Sequence, residues 1–389
     1  MMAVPLCHLR CAGAGIMAVT NHLSSGMSGG VPKGEYKMKK LIETLVNIPS
    51  ACGHEQDIIR YLRDYLCDKV DEGQIDGIGN LIVKKSGAKP GPTLMVSSHS
   101  DEVGFMVKKI EESGLIRFEK IGGHDDRILP AEPVWVCTES GPLYGVIGFI
   151  SAHMRRFDNA EKVRPYTELY IDIGARDKAG VEAMGVQVGD PIVWGSPYRE
   201  IGQNRAVGHG FDDKVGCAIL ARLFEEVDFS QVHGTVYGVF SVQEEVGLRG
   251  ARAATHVIDP DVALSVDTTA AGDTPEAMMD KTLCLGKGPG IKAMDGSLLA
   301  SKAVRKFLQN VAKEHEIPYQ VEILVGIGTD AGEMQNAGKG VPTCGISIPS
   351  RTAHSAVEVI DLDDAENAKE LLKAFVLTMK EKDEFKFVK

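Results

Sequence analysis

With 389 residues, 43% of them hydrophobic and 25% charged, the chain can build one large domain or two ordinary ones around a substantial core. Its formal net charge of −11, from 54 acidic against 43 basic side chains, opposes a nucleic-acid partner and an anionic membrane surface. No run approaches the roughly 20 apolar residues that span a bilayer. The eight cysteines form no CxxC pair, so reduced thiols in a soluble, cytoplasmic protein are expected.

Residues 1–37 are rich in Gly, Ser, Ala and Met and carry no acidic residue before Glu35. They read as a disordered extension, with the fold beginning near Met38. Helical periodicity follows over Lys39 to Asn47 and over His54 to Val70, where Ile58, Ile59, Leu62, Leu66 and Val70 share one stripe. Leu81 to Lys84 reads as a strand, and Thr93 to Ser97 as an apolar strand running into His99. Residues 108–205 are different: short alternating runs separated by Gly, Pro and Asp turns, the pattern of a β-rich unit. Beyond it the chain alternates again. Helices are expected over Lys214 to Val227, Leu298 to His315 and Leu362 to Lys380, with strands over Thr235 to Ser241, Val262 to Val266 and Thr343 to Ile348. This order predicts an α/β domain, a mostly parallel sheet sandwiched by helices, built from 38–107 and 206–389, with 108–205 inserted as a small β-rich domain.

His99, Glu244-Glu245 and Asp267 are each expected just past an apolar strand, with His354 a few residues beyond another. Asp212-Asp213 stands where the chain enters a helix. In open α/β sheets, sites form at the carboxyl ends of strands, so these segments deliver imidazoles and carboxylates to one rim. Taken singly, each has a plain structural reading: a structural histidine, an Asp-Asp helix cap, a solvated Glu-Glu loop. Together they are too many ligands for one catalytic zinc. They suit two metals about 3.5–4 Å apart with one bridging carboxylate. The Glu-Glu doublet can ligate with one member and move a proton with the other. Asp101, at i+2 from His99, is placed to orient its imidazole.

At these residues the sequence resembles metallopeptidase family 42, the tetrahedral aminopeptidases (glutamyl, leucyl and deblocking). The matching blocks are SSHSDEVGFMV (97–107), GHGFDDKVGCAIL (208–220), SVQEEVGLRGA (241–251), ALSVDT (263–268), GTDAG (328–332) and RTAHSAVE (351–358). The resemblance implies a phosphorylase/hydrolase-like zinc-peptidase fold acting on peptide substrates. It places His99, Asp212 and Asp267 on one metal, and Asp212, Glu245 and His354 on the second. Glu244 is then the general base and Asp101 the support of His99. Two divalent ions per subunit are implied, zinc first and cobalt as the alternative. The inserted unit is implied to assemble dimers, up to hollow dodecamers. Three features depart from the family pattern: Ser98 and Ser100 around His99, Lys214, and Thr352-Ala353. The last two are expected to alter the substrate pocket.

Some segments are expected to be incidental. Gly286 to Gly290 lacks the Gly-Lys-Ser/Thr ending of a phosphate loop and reads as a plain loop. Gly122 to Asp125 reads as structural, while Asp330 and Arg351 are expected near the pocket. The competing functions are a metal-dependent deacylase or other amidohydrolase, paired-carboxylate glycoside hydrolysis, which leaves both histidines idle, and a binding scaffold that has lost catalysis.

Overall fold

The computed structural model describes residues 33–157, 162–275 and 283–388. The expected extension lies outside the described residues up to position 32, and helix Lys33–Val46 already includes its last five residues. Three expected helices appear with small shifts, as Gln56–Leu66, Phe211–Glu226 and Lys302–Glu314. Leu362–Thr378 ends slightly early.

An eleven-stranded sheet forms the body. Its centre is four parallel strands in the order His233–Ser241, Lys89–His99, Val262–Ala270 and Thr343–Arg351. The flanks are antiparallel: Glu72–Ile75 with Leu81–Ser86 on one side, and Glu358–Asp361, Arg205–Gly208 and Arg199–Ile201 on the other. The sheet is therefore mixed rather than mostly parallel. Long crossovers join the central strands, whereas short turns join Glu72–Ile75 to Leu81–Ser86 and Arg199–Ile201 to Arg205–Gly208 and permit only antiparallel pairing there. One such turn is closed by Asp76, whose Oδ1 accepts the N–H groups of Ile78, Gly79 and Asn80.

Alternation along the central strands feeds a core on each face. Leu94, Val96, Val262 and Leu264 join the large cluster under Phe211–Glu226 and Leu362–Thr378. Met95 and Ala263 join a smaller one with Ala251 and Ala254 of helix Arg249–Ile258 and Ala331 and Met334 of helix Asp330–Asn336. The helix Phe211–Glu226 is buried along most of its length. Its contacts with Lys33–Val46, Leu362–Thr378 and two central strands fix where its first residues stand.

A closed six-stranded barrel runs from Gly104–Ile110 to Pro191–Trp194. It has its own core, in which Phe105 meets Phe118 and Trp194 edge-on at 5.1 and 5.0 Å. Residues 199–208 share the alternating pattern of the barrel strands but belong to the main sheet, because Arg205–Gly208 pairs with Glu358–Asp361.

Candidate metal centre

His99 ends its strand, buried to 2% exposure. Its Nδ1 lies 3.0 Å from the Asp101 carbonyl oxygen, which leaves Nε2 facing Asp212 Oδ1 at 3.1 Å and Asp267 Oδ1 at 3.6 Å. Asp267 stands within the strand Val262–Ala270 rather than past its end. Asp212, at the start of its helix, turns its other oxygen towards His354, with Oδ2 3.4 Å from Nε2. The same Nε2 is 3.2 Å from Glu245 Oε1. His354 sits in the left-handed region, φ 60°, and its Nδ1 lies 3.0 Å from the Gly123 carbonyl of the barrel.

Among the described residues, three sets bring ligand atoms within 4.8 Å of one another: His99, Asp212 and Asp267; Asp212, Glu245 and His354; and His99, Glu244 and Glu245. The five expected ligands and Glu244 thus stand together, with Asp212 common to two sets. They line a cleft of about 630 Å³ at the carboxyl ends of the central strands.

Several supports of this arrangement carry no local sequence signal. The Asp101 carboxylate was expected at the imidazole, and it is 3.6 Å from His99 Nδ1. It also accepts the backbone N–H groups of Glu244 at 3.0 Å and Glu245 at 3.2 Å, and the Cys52 thiol at 3.1 Å. Glu55 accepts the amide of Gln243 at 3.1 Å, just before the doublet. Glu358, which is buried, ties two ligand segments together: Oε1 accepts from the His354 amide at 3.0 Å and Oε2 from the Asp212 amide at 3.1 Å.

The departures from the family pattern also find places. Ser98 donates to Asp213 Oδ2 at 2.5 Å, so the second aspartate of the pair serves the underside of the strand. Ser100 donates to the Ser241 carbonyl. Lys214 does not line the cleft, contrary to expectation. Its fully buried ammonium donates to Glu102 at 2.7 Å and to the Ile48 carbonyl at 2.9 Å, while His209 holds the other Glu102 oxygen at 2.6 Å. Ala353 does line the cleft, as do Gly123, His124 and Asp125. The last three were expected to be structural only, and His124 does bond the Gly104 carbonyl at 2.8 Å. Asp330 is buried behind the sheet, accepting from Ser97 and Ser241, and Arg351 is paired with Asp273; neither reaches the cleft. The amides of Gly286 and Gly288 donate to Asp364, so this loop is held by a carboxylate of its own chain.

Crowding governs the electrostatics. Burial, reinforced by Asp267 and Glu245, pushes Glu244 well above the usual carboxylate range. Burial likewise lifts Asp267 to about 7 against the pull of His99. Burial opposes charge on His354 too, but Asp212 and Glu245 outweigh it and raise the imidazole to about 12. Two imidazoles cannot neutralise four neighbouring buried carboxylates as anions. Nitrogen and oxygen donors in this ratio and at this density fit divalent cations of the zinc type, whose charge would take over from protons as the local counter-charge.

The sequence profile of the M42 glutamyl aminopeptidase family matches residues 79–371. The lysyl aminopeptidase of Pyrococcus furiosus is 36% identical over 350 residues, covering 89% of this chain and 97% of its own. Among solved structures, an aminopeptidase of the archaeon Desulfurococcus kamchatkensis superposes with a TM-score of 0.87 at 37% identity, covering 92% of this chain and 99% of its own. The TET1 peptidase of Pyrococcus horikoshii gives a TM-score of 0.79 at 31% identity, covering 88% and 100%. Agreement of this extent in both sequence and fold places the chain in the M42 family of metallopeptidases.

Proposed function

We propose that this chain is a dinuclear aminopeptidase that releases residues one at a time from the free N-termini of peptides. The observation that carries the reading is Asp212, whose two oxygens face two different imidazoles, His99 at 3.1 Å and His354 at 3.4 Å. That suits a carboxylate shared by two cations. His99, Asp212 and Asp267 would hold one, and Asp212, Glu245 and His354 the other. When bound, such a pair supplies Lewis acidity to the scissile carbonyl and to water.

The protein's own groups do the rest. Glu244 is not in either of those two ligand sets, so its carboxylate is left to take a proton from water and hand it to the leaving amine. Asp101 holds the doublet by its backbone, so Glu244 and Glu245 keep separate directions. Gly123 and Glu358 fix His354 by side chain and backbone. The main sheet and the helices packed on it, rather than the barrel, would form the catalytic domain. The barrel would mediate dimers and larger assemblies, in line with its exposed Tyr144, Val146, Phe149 and Phe157. The TET1 peptidase of Pyrococcus horikoshii can assemble into a tetrahedron or a large octahedral shell.

The test is a panel of aminoacyl anilides and short peptides, with free and acetylated N-termini, given to protein loaded with zinc or cobalt. Release from free termini, abolished by a chelator, is the expected result. Cleavage of blocked substrates alone would favour an amidohydrolase, and no release from either would refute the reading.

A further inference from the structure

The cleft walls carry information beyond the chemistry of its floor. Leu248, Ile327, Ile128 and Ala270 all line it. Leu248 reaches across towards the facing loop: a Cβ placed on Gly328 would stand 3.9 Å from its Cδ1. That loop is preformed, since the Gly296 amide donates to the Ile327 carbonyl at 2.8 Å and Thr329 donates to Asp295 at 3.1 Å. Ile327 is therefore held at the cleft by its backbone, with its side chain left to meet whatever enters.

Charge is distributed just as selectively. No lysine or arginine is among the described residues lining the cleft. The one lining carboxylate outside the ligand cluster, Asp125, is already engaged by Arg127, whose Nε lies 3.0 and 2.8 Å from its two oxygens. Among the described residues, an acidic side chain entering beside these walls meets no lysine or arginine, and a basic one meets no uncommitted carboxylate outside the ligand cluster. Either would lose hydration without a partner, whereas an aliphatic side chain would bury its surface against Leu248 and Ile327.

We propose that the cleft selects peptides whose first residue carries an uncharged, apolar side chain of leucine or methionine size, and that Leu248 and Ile327 are the specificity-determining residues. The proposal rests on the aminopeptidase reading, which it deepens. It sets this chain apart from its relatives named for lysyl and glutamyl substrates.

The experiment compares Leu-, Met-, Ala-, Lys- and Glu-anilides on the full metal-loaded chain, with calorimetric binding of free L-leucine, L-lysine and L-glutamate as a readout independent of turnover. The expected kcat/KM for Leu and Met is at least about tenfold above that for Ala, Lys and Glu, and L-leucine binds more tightly than the two charged amino acids. Ile327→Glu should lower the Leu-to-Lys ratio by at least about tenfold, and Ile327→Ala and Leu248→Ala should each lower the Leu-to-Ala ratio. Parent activity on Lys or Glu equal to that on Leu, or variants that leave the ratios unchanged, would overturn the assignment while leaving an aminopeptidase. Failure to release any free N-terminal residue would overturn both together.

Discussion

Glu358 offers a sharp test because it touches no proposed metal position and is buried to 1% exposure. Its two oxygens accept the amides of His354 and Asp212, at 3.0 and 3.1 Å, and so join two ligand segments that lie far apart in sequence. Glu358→Gln keeps the shape but turns an amide NH₂ against one of those N–H groups. A buried N–H left without an acceptor costs about 1–3 kcal/mol. If that cost falls on the assembled site, affinity for the cations drops by roughly five- to hundredfold, the range usual for groups that orient metal ligands. The assay is competition for zinc or cobalt against a chromophoric chelator, run beside kcat/KM and a thermal melt. The expected result is a parallel fall in metal affinity and activity with the fold retained. A variant within twofold of the parent in both would refute the reasoning, as would a lower Tm with unchanged metal affinity.

Glu244→Gln should lower kcat by about a hundredfold or more while metal content stays at the parent value, as loss of a general base commonly gives; metal analysis beside steady-state kinetics decides it. Lys214→Met should destabilise the protein by about 3–5 kcal/mol, because it takes the buried ammonium from Glu102 and leaves that carboxylate only His209 and the Ser50 amide; urea unfolding at neutral pH measures it. The same pair sets an acid limb. Burial alone would raise Glu102, but Lys214 and His209 hold it down at about 2. With its folded-state pKa below the unfolded value, Glu102 contributes stability that is complete above about pH 4.5 and lost as pH falls towards 2. From the shift this amounts to about 3 kcal/mol. Urea midpoints over that window should fall less steeply in Lys214→Met than in the parent, the remaining fall coming from other carboxylates held low, such as Glu225.

The ends of the apolar strands were legible because strands and ligands lie next to each other in the chain. Thr93 to Ser97 leads to His99, and Thr235 to Ser241 leads to Glu244, so periodicity alone points to one rim. The supports were not, because their meaning arises from pairing between distant segments. Glu358 follows His354 by four residues like any acidic loop residue, and only the strand Glu358–Asp361 turns it under Asp212. Asp101 was placed near the right group by spacing, yet its carboxylate serves backbone amides 143 and 144 positions away. Gly123 contributes a carbonyl, which no residue type advertises. The antiparallel flanks escaped for a similar reason: Arg199–Ile201 and Arg205–Gly208 alternate like the barrel strands, and only their partner shows which sheet they join. Lys214 was expected to alter the pocket because it departs from the family pattern, but its side chain runs into the interior to meet Glu102.

The most direct measurement is anomalous diffraction from crystals of the zinc-loaded protein, collected on both sides of the zinc edge. Two peaks are expected, one among His99, Asp212 and Asp267 and one among Asp212, Glu245 and His354, each beside a different oxygen of Asp212. A single peak, or two peaks with Asp212 bound to neither or to only one, would contradict the shared-carboxylate centre.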